Sequence, residues 1–197
     1  MNAYFGIYWT FPVRWVGFTH FESVDQAARI SRTIRYQRDV IRREVAARKG
    51  DLAAEAAFME HAPDRGTPEL ADEVARAIRK KPGLTPVLVD FAAVLGWRRH
   101  GDLMRRMTEA DALFLPPDPV MIDGQEFDPA RHFRDWAERW AAHSDGKADH
   151  RAAILACVQA APDMKPSALA ENLNATGLRT HTGKLWTPVN LRKFLNR

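Results

Sequence analysis

The residues best suited to chemistry stand near the end of the chain. Asn190 and Arg192 are the side-chain types that match adenine and guanine edges in a major groove. Arg179, Thr180, Thr182 and Lys184 carry short polar or cationic groups suited to phosphate oxygens, contacts that position a protein without reading sequence. Thr187, Lys193 and Arg197 complete a candidate DNA-contacting set. The bland alternative is a solvated helical cap with ordinary surface charge.

Such groups need a scaffold that buries one face and offers the other. Pro166 has the fixed φ of a first helical position, Ala168, Leu169 and Leu173 follow at helical spacing, and Gly177 supplies a stop. The link Leu178 to Trp186 contains His181-Thr182-Gly183-Lys184, a turn signal compatible with a wing-like hairpin. Thr187 and Pro188 then open a second helix as N-cap and first position, with Val189, Leu191, Phe194 and Leu195 as its apolar stripe. Two short helices joined by a basic link suit a helix-turn-helix DNA reader.

Upstream, the elements alternate. A first strand is expected at Tyr4–Trp9, after which the loop Thr10–Phe21 is rich in aromatics that suit packing. Ser23 and Gln26 form a capping box for one long helix reaching Lys49, with Ile30, Ile34, Ile41 and Val45 as its stripe and Gly50 just beyond. A strand within Ala53–Met59, a helix from Thr67-Pro68 to Lys80, a buried strand at Thr85–Val94, a helix over Arg98–Ala110 and a strand at Ala112–Leu115 follow. This order predicts an α/β layer with a mainly parallel sheet and flanking helices. Asp128-Pro129 begins a helix carrying Phe133, Trp136 and Trp140; Ser144–Lys147 reads as a linker, and Ala148–Gln159 as the first helix of an all-α terminal module. The expected domains are 1–146 and 147–197.

The terminal run from Leu169 to Arg197, LAENLNATGLRTHTGKLWTPVNLRKFLNR, resembles the DNA-binding segment of serine recombinases. There an A-x-x-L-N-x-x-G helix leads through a threonine- and glycine-containing link to W-[ST]-x-x-x-[VL]-x-x-[FIL]-L-x-R. The matching positions are Ala170, Leu173, Asn174, Gly177, Trp186, Thr187, Leu191, Phe194, Leu195 and Arg197. Ser31, Gln37, Arg38, Ile41 and Gly50 are similar to that family's S-L-E-A-Q-R-x-x-I-R-x-x-x-x-x-x-G helix, and Arg65–Leu70 to its R-P-x-L helix start. The strand Val87–Val89 is similar to the one before the family's D-R-L-S-R. The resemblance implies a resolvase-like α/β domain followed by a helix-turn-helix, with double-stranded DNA as partner and a homodimer paired through the Phe133, Trp136 and Trp140 helix; the alternative for these aromatics is that they simply cap the sheet.

Its catalytic residues are missing. Where Y-x-R-V-S-T should close the first strand, the arginine position falls on Thr10 and the nucleophile position on Pro12, which has no hydroxyl to attack a phosphodiester. Where L-D-R-L-S-R should stand, the chain reads Ala92-Ala93-Val94-Leu95-Gly96-Trp97. The expectation is a regulator of transcription or recombination with no recombinase activity. Two alternatives remain: an enzyme with a relocated nucleophile, Thr10 or Ser23, or an interaction or ligand-sensing domain with a vestigial terminal module.

Composition narrows the classes further. With 46% hydrophobic and 27% charged residues the chain is of globular type, and no apolar run approaches a membrane span, so a cytoplasmic address is expected. The single cysteine, Cys157, permits no internal disulfide, and no metal or cofactor motif occurs. From Ala148 onward seven Lys/Arg face three acids, whereas residues 1–147 carry equal numbers of each. The whole net charge of +4 therefore belongs to the terminal segment. Arg98-Arg99-His100 and Arg105-Arg106 read as a solvated helix face.

Overall fold

The strand β1 (Ala3–Thr10) is almost wholly buried, as expected of a central strand covered on both faces. It pairs in parallel with β2 (Asp51–Met59) on one side and β3 (Thr85–Val89) on the other, and β3 pairs in parallel with β4 (Leu113–Leu115). The sheet order is β2-β1-β3-β4, flanked by α1 (Val24–Ile30), α2 (Arg32–Ala47), α3 (Pro68–Arg79) and α4 (Gly101–Glu109). This computed structural model describes residues 2–14, 17–94, 100–180 and 184–196. It divides the chain into two compact units, Met1–Arg134 and Asp135–Arg197. The first is an α/β unit with a parallel four-stranded sheet.

The helices bury the faces their spacing dictates. Ile34, Ile41 and Val45 of α2, Leu70 and Val74 of α3, and Leu103 and Met107 of α4 join the strand side chains in one core. Each fully buried aliphatic side chain contributes about 1.5–3 kcal/mol. Beyond Gly6, β1 runs past the end of its pairing with β3, and the Gln37 amide takes over: it accepts from Trp9 N at 3.0 Å and donates to Trp9 O at 2.8 Å. A side chain thus satisfies buried backbone groups where the neighbouring strand has ended.

Several sequence expectations are corrected. The single helix to Lys49 is two, broken at Ser31, whose N–H closes α1 on Ala27 O and whose hydroxyl accepts from Ile34 N to start α2. Arg35 makes the break tolerable by donating to the carbonyls of Ala28 and Arg29, both at 2.9 Å. Ile30, expected on the stripe, is consequently 53% exposed. The left-handed residue ending α2 is Lys49 (φ 53) rather than a glycine. Strand β3 stops at Val89 because the Asp90 carboxylate accepts from Ala92 N at 2.8 Å and starts a 3-10 turn over Phe91–Ala93. Helix α4 begins at Gly101; Arg98 and Arg99 lie outside the described residues.

A hairpin that the sequence reading missed, β5 (Val120–Ile122) with β6 (Gln125–Phe127), turns through Asp123 and Gly124, both at positive φ. The next helix, α5 (Pro129–Gln159), is continuous, so Ser144–Lys147 is helical backbone rather than a linker. Phe133 is fully buried and meets Phe91 edge-on at 5.0 Å, so it belongs to the core of the first unit and not to an exposed pairing face.

The second unit comprises the rest of α5 with α6 (Pro166–Ala175) and α7 (Pro188–Leu195). Ile154, Leu169, Ala170, Leu173, Trp186 and Leu191 form its core, with Cys157 and Phe194 partly buried against it. Thr176 ends α6 and Gly177 follows at φ 77, the left-handed position that glycine fills without strain.

Candidate nucleic-acid interface

The start of α7 is held from two sides. Asn174 on α6 donates to Trp186 O at 2.9 Å and accepts from Trp186 N at 2.8 Å, which fixes the residue before the N-cap while its indole enters the core. Thr187 then accepts from Asn190 N at 3.2 Å, and the Asn190 amide accepts from Thr187 N at 2.7 Å, a reciprocal capping box. Asn190 also donates to Leu185 O at 3.3 Å. Upstream, Thr180 N donates to Lys184 O and Lys184 N donates to the Thr180 hydroxyl, both at 2.9 Å. His150 Nε2 lies 2.7 Å from Arg179 O, and the Arg151 guanidinium stacks over Phe194 at 4.8 Å.

These bonds sort the candidate residues. Lys184, Arg192 and Lys193 are exposed and have no carboxylate partner among the described residues. Thr187 is exposed, but its hydroxyl serves the cap. Asn190 is half-buried with both ends of its amide engaged on the backbone, which fixes the orientation in which its remaining N–H and lone pair could meet a base edge. Arg179 and Thr180 are half-buried, and Thr182 and Arg197 lie outside the described residues. The turn on which a wing-like hairpin was expected, His181-Thr182-Gly183, lies outside the described residues.

The sequence reading missed the exposure of two residues of the expected stripe, Val189 at 59% and Leu195 at 37%, and that of Leu185 at 57%. The signal was present. With Leu191 inward, a helical step of about 100° per residue carries Val189 and Lys193 to the opposite face and Arg192 to its flank.

The other location where an α/β sheet holds ligands is the crevice beyond the carboxyl ends of its strands, where the strand order reverses, here between β1 and β3. Aromatic side chains fill it: Trp9 meets Phe11 at 5.5 Å, His100 at 5.4 Å and Phe91 at 6.5 Å, all edge-on. Thr10 is 3% exposed and Pro12 is buried. Beside them lies a buried carboxylate, Glu60, whose Oε1 is 2.6 Å from His100 Nε2 and 3.1 Å from Thr67 N, while Oε2 accepts from the Thr67 hydroxyl at 2.9 Å and His61 N at 3.0 Å. Burial opposes its ionisation, yet these donors outweigh burial and hold it below the usual carboxylate range. His100 Nδ1 accepts from Leu103 N at 3.2 Å, which leaves the proton on Nε2, facing Glu60. Every polar group of this cluster is spent on joining β2, α3 and α4. Ser23, the other relocated-nucleophile candidate, caps α1.

A mostly apolar cleft of about 280 Å³ lies between α2 and the β4–β5 segment, lined by Val40, Ala47, Leu115 and Val120, and its Arg43 is engaged with Asp39 and Met121 O. Among the described residues no group of three or more His, Cys, Asp or Glu is arranged to hold a metal ion, and no helix is long and apolar enough to cross a membrane. No protein-family model matches the chain, nor does any curated protein or solved structure.

Proposed function

We propose that this chain is a DNA-binding protein in which α6 and α7 act as a helix-turn-helix, α7 lying in the major groove, and that it controls transcription or recombination by occupying its site. The observation that carries this reading is the cationic face of the terminal segment: Lys184, Arg192 and Lys193 are exposed with no carboxylate partner among the described residues, on and beside a short helix fixed at its start by Asn174 and the capping box. No Asp or Glu follows Glu171 in the sequence to compete with phosphate for them. The resemblance to serine recombinases gives the same role to the same segment, and the α/β unit is then a resolvase-like domain kept without its reaction. Pro12 at the nucleophile position and the burial of Thr10 support the absence of strand cleavage. Pairing of two copies on two half-sites would raise affinity by linkage.

Fluorescence-anisotropy titration of the full chain with random duplex DNA at two salt concentrations tests the reading. Binding that weakens steeply with salt and drops several-fold in Arg192→Ala is the expected result. Absence of binding at low salt rejects it. Covalent protein–DNA adducts on a supercoiled substrate would instead restore an enzymatic role.

A further inference from the structure

The outward face of α7 is not purely cationic. Val189 and Lys193 share it one turn apart, Arg192 flanks them, and Leu185 is exposed just ahead of the helix. Two aliphatic side chains more than half exposed stand among three cations that have no carboxylate partner among the described residues, in a module whose other apolar residues largely reach a shared core. Meanwhile Asn190, the residue whose type best suits adenine, is held by three bonds that set the start of the helix.

We infer that α7 reads DNA through the C5-methyl groups of thymine, with Val189 as the contacting side chain and Lys184, Arg192 and Lys193 on the phosphates to either side. The inference rests on the DNA-binding reading above. The occupant follows from the mixture of groups on this face. An apolar protein groove would accept Val189 and Leu185 but would desolvate the neighbouring cations without offering them anions. The wall of a major groove supplies phosphates at its rims, and the apolar group it exposes on its floor is the thymine methyl. A second copy of this face would oppose cation to cation.

The experiment begins with selection of bound sequences from a random duplex pool by the full chain. Anisotropy then follows the selected duplex with each thymine replaced singly by deoxyuridine, which removes only the methyl. At one or two positions the wild type should lose about fourfold in affinity, the worth of one buried carbon. Val189→Ala, an exposed substitution whose folding is checked by circular dichroism, should bind the parent duplex more weakly and lose that sensitivity, with its salt dependence unchanged. Selected duplexes indifferent to every methyl, or a Val189→Ala protein that remains equally sensitive, overturn the inference. So does a pool that binds without enrichment, an outcome that leaves salt-dependent DNA binding standing. No binding of any duplex at low salt removes the DNA-binding reading and this inference together.

Discussion

The carboxylates of the first unit show how much a residue's role depends on the donors around it. Glu55 accepts from Tyr8 at 2.7 Å and from both Arg38 and Arg42 through paired guanidinium bonds of 2.9–3.2 Å. Burial favours its neutral form, but these bonds prevail and hold the carboxyl at about 2, while burial and the same carboxylate push the Tyr8 hydroxyl up. A folded pKa below the unfolded one, about 4.3, stabilises the protein fully above that value and loses the contribution as pH falls from about 4 toward 2. Between pH 7 and pH 3 the loss from this group alone is about 2 kcal/mol. Urea unfolding at the two pH values should show Glu55→Gln less stable than wild type at pH 7, with the gap closing at pH 3. An equal gap at both would mean that Glu55 acts through packing. Glu60 titrates in the same direction, so a remaining acid sensitivity is expected in the variant. At Asn190 the residue type was legible in the sequence and the duty was not, because an amide three positions after a threonine N-cap can serve either a base or the cap, and tertiary position decides.

Among the elements, α6 depends on what it buries. Leu173 is fully buried in the small core of the second unit, beneath Trp186 and Leu191. Leu173→Ala removes about 2–5 kcal/mol, a large share of what a core of this size supplies. Hydrogen exchange on the full-length variant should show amides of α6 and α7 losing protection while β1 and β3 keep theirs. Loss of protection in β1 as well would mean that the two units unfold as one. The strands β1 to β4 and helices α3, α6 and α7 were legible in the sequence, β1 and β3 through their buried runs and the helices through a proline at a first helical position. What escaped were the places where a side chain overrides the local pattern. Ser31 splits a helix whose apolar spacing continues across it, and Asp90 cuts an apolar run short. The Asp123-Gly124 hairpin was readable from its two-residue signal. Ser144–Lys147 looked like a linker by composition, yet tolerates helical backbone despite Gly146.

Across the molecule the charge is partitioned by pairing as well as by count. In the first unit Arg35, Arg38, Arg42, Arg43, Arg48, Arg105 and Arg106 each meet an acid of the same unit. Their field is thereby largely cancelled, in keeping with the equal numbers of acids and bases in residues 1–147. The net charge of +4 thus resides in the segment where Lys184, Arg192 and Lys193 have no carboxylate partner among the described residues. If these three meet phosphates, the logarithm of the DNA association constant should fall with the logarithm of salt at a slope of about −3 for one module. Two modules acting on one site would double it. Lys184→Ala removes one counterion-releasing contact and should make the slope shallower by about one, uniformly across DNA sequences, whereas Val189→Ala should alter sequence preference at constant slope. The cations of the first unit serve as the control: Arg106→Ala breaks pairs to Asp72 and Glu109 and should leave the slope unchanged. A slope that responds equally to Arg106 and Lys184 would mean that DNA sees only the overall charge of the protein, and that α7 has no particular face toward it.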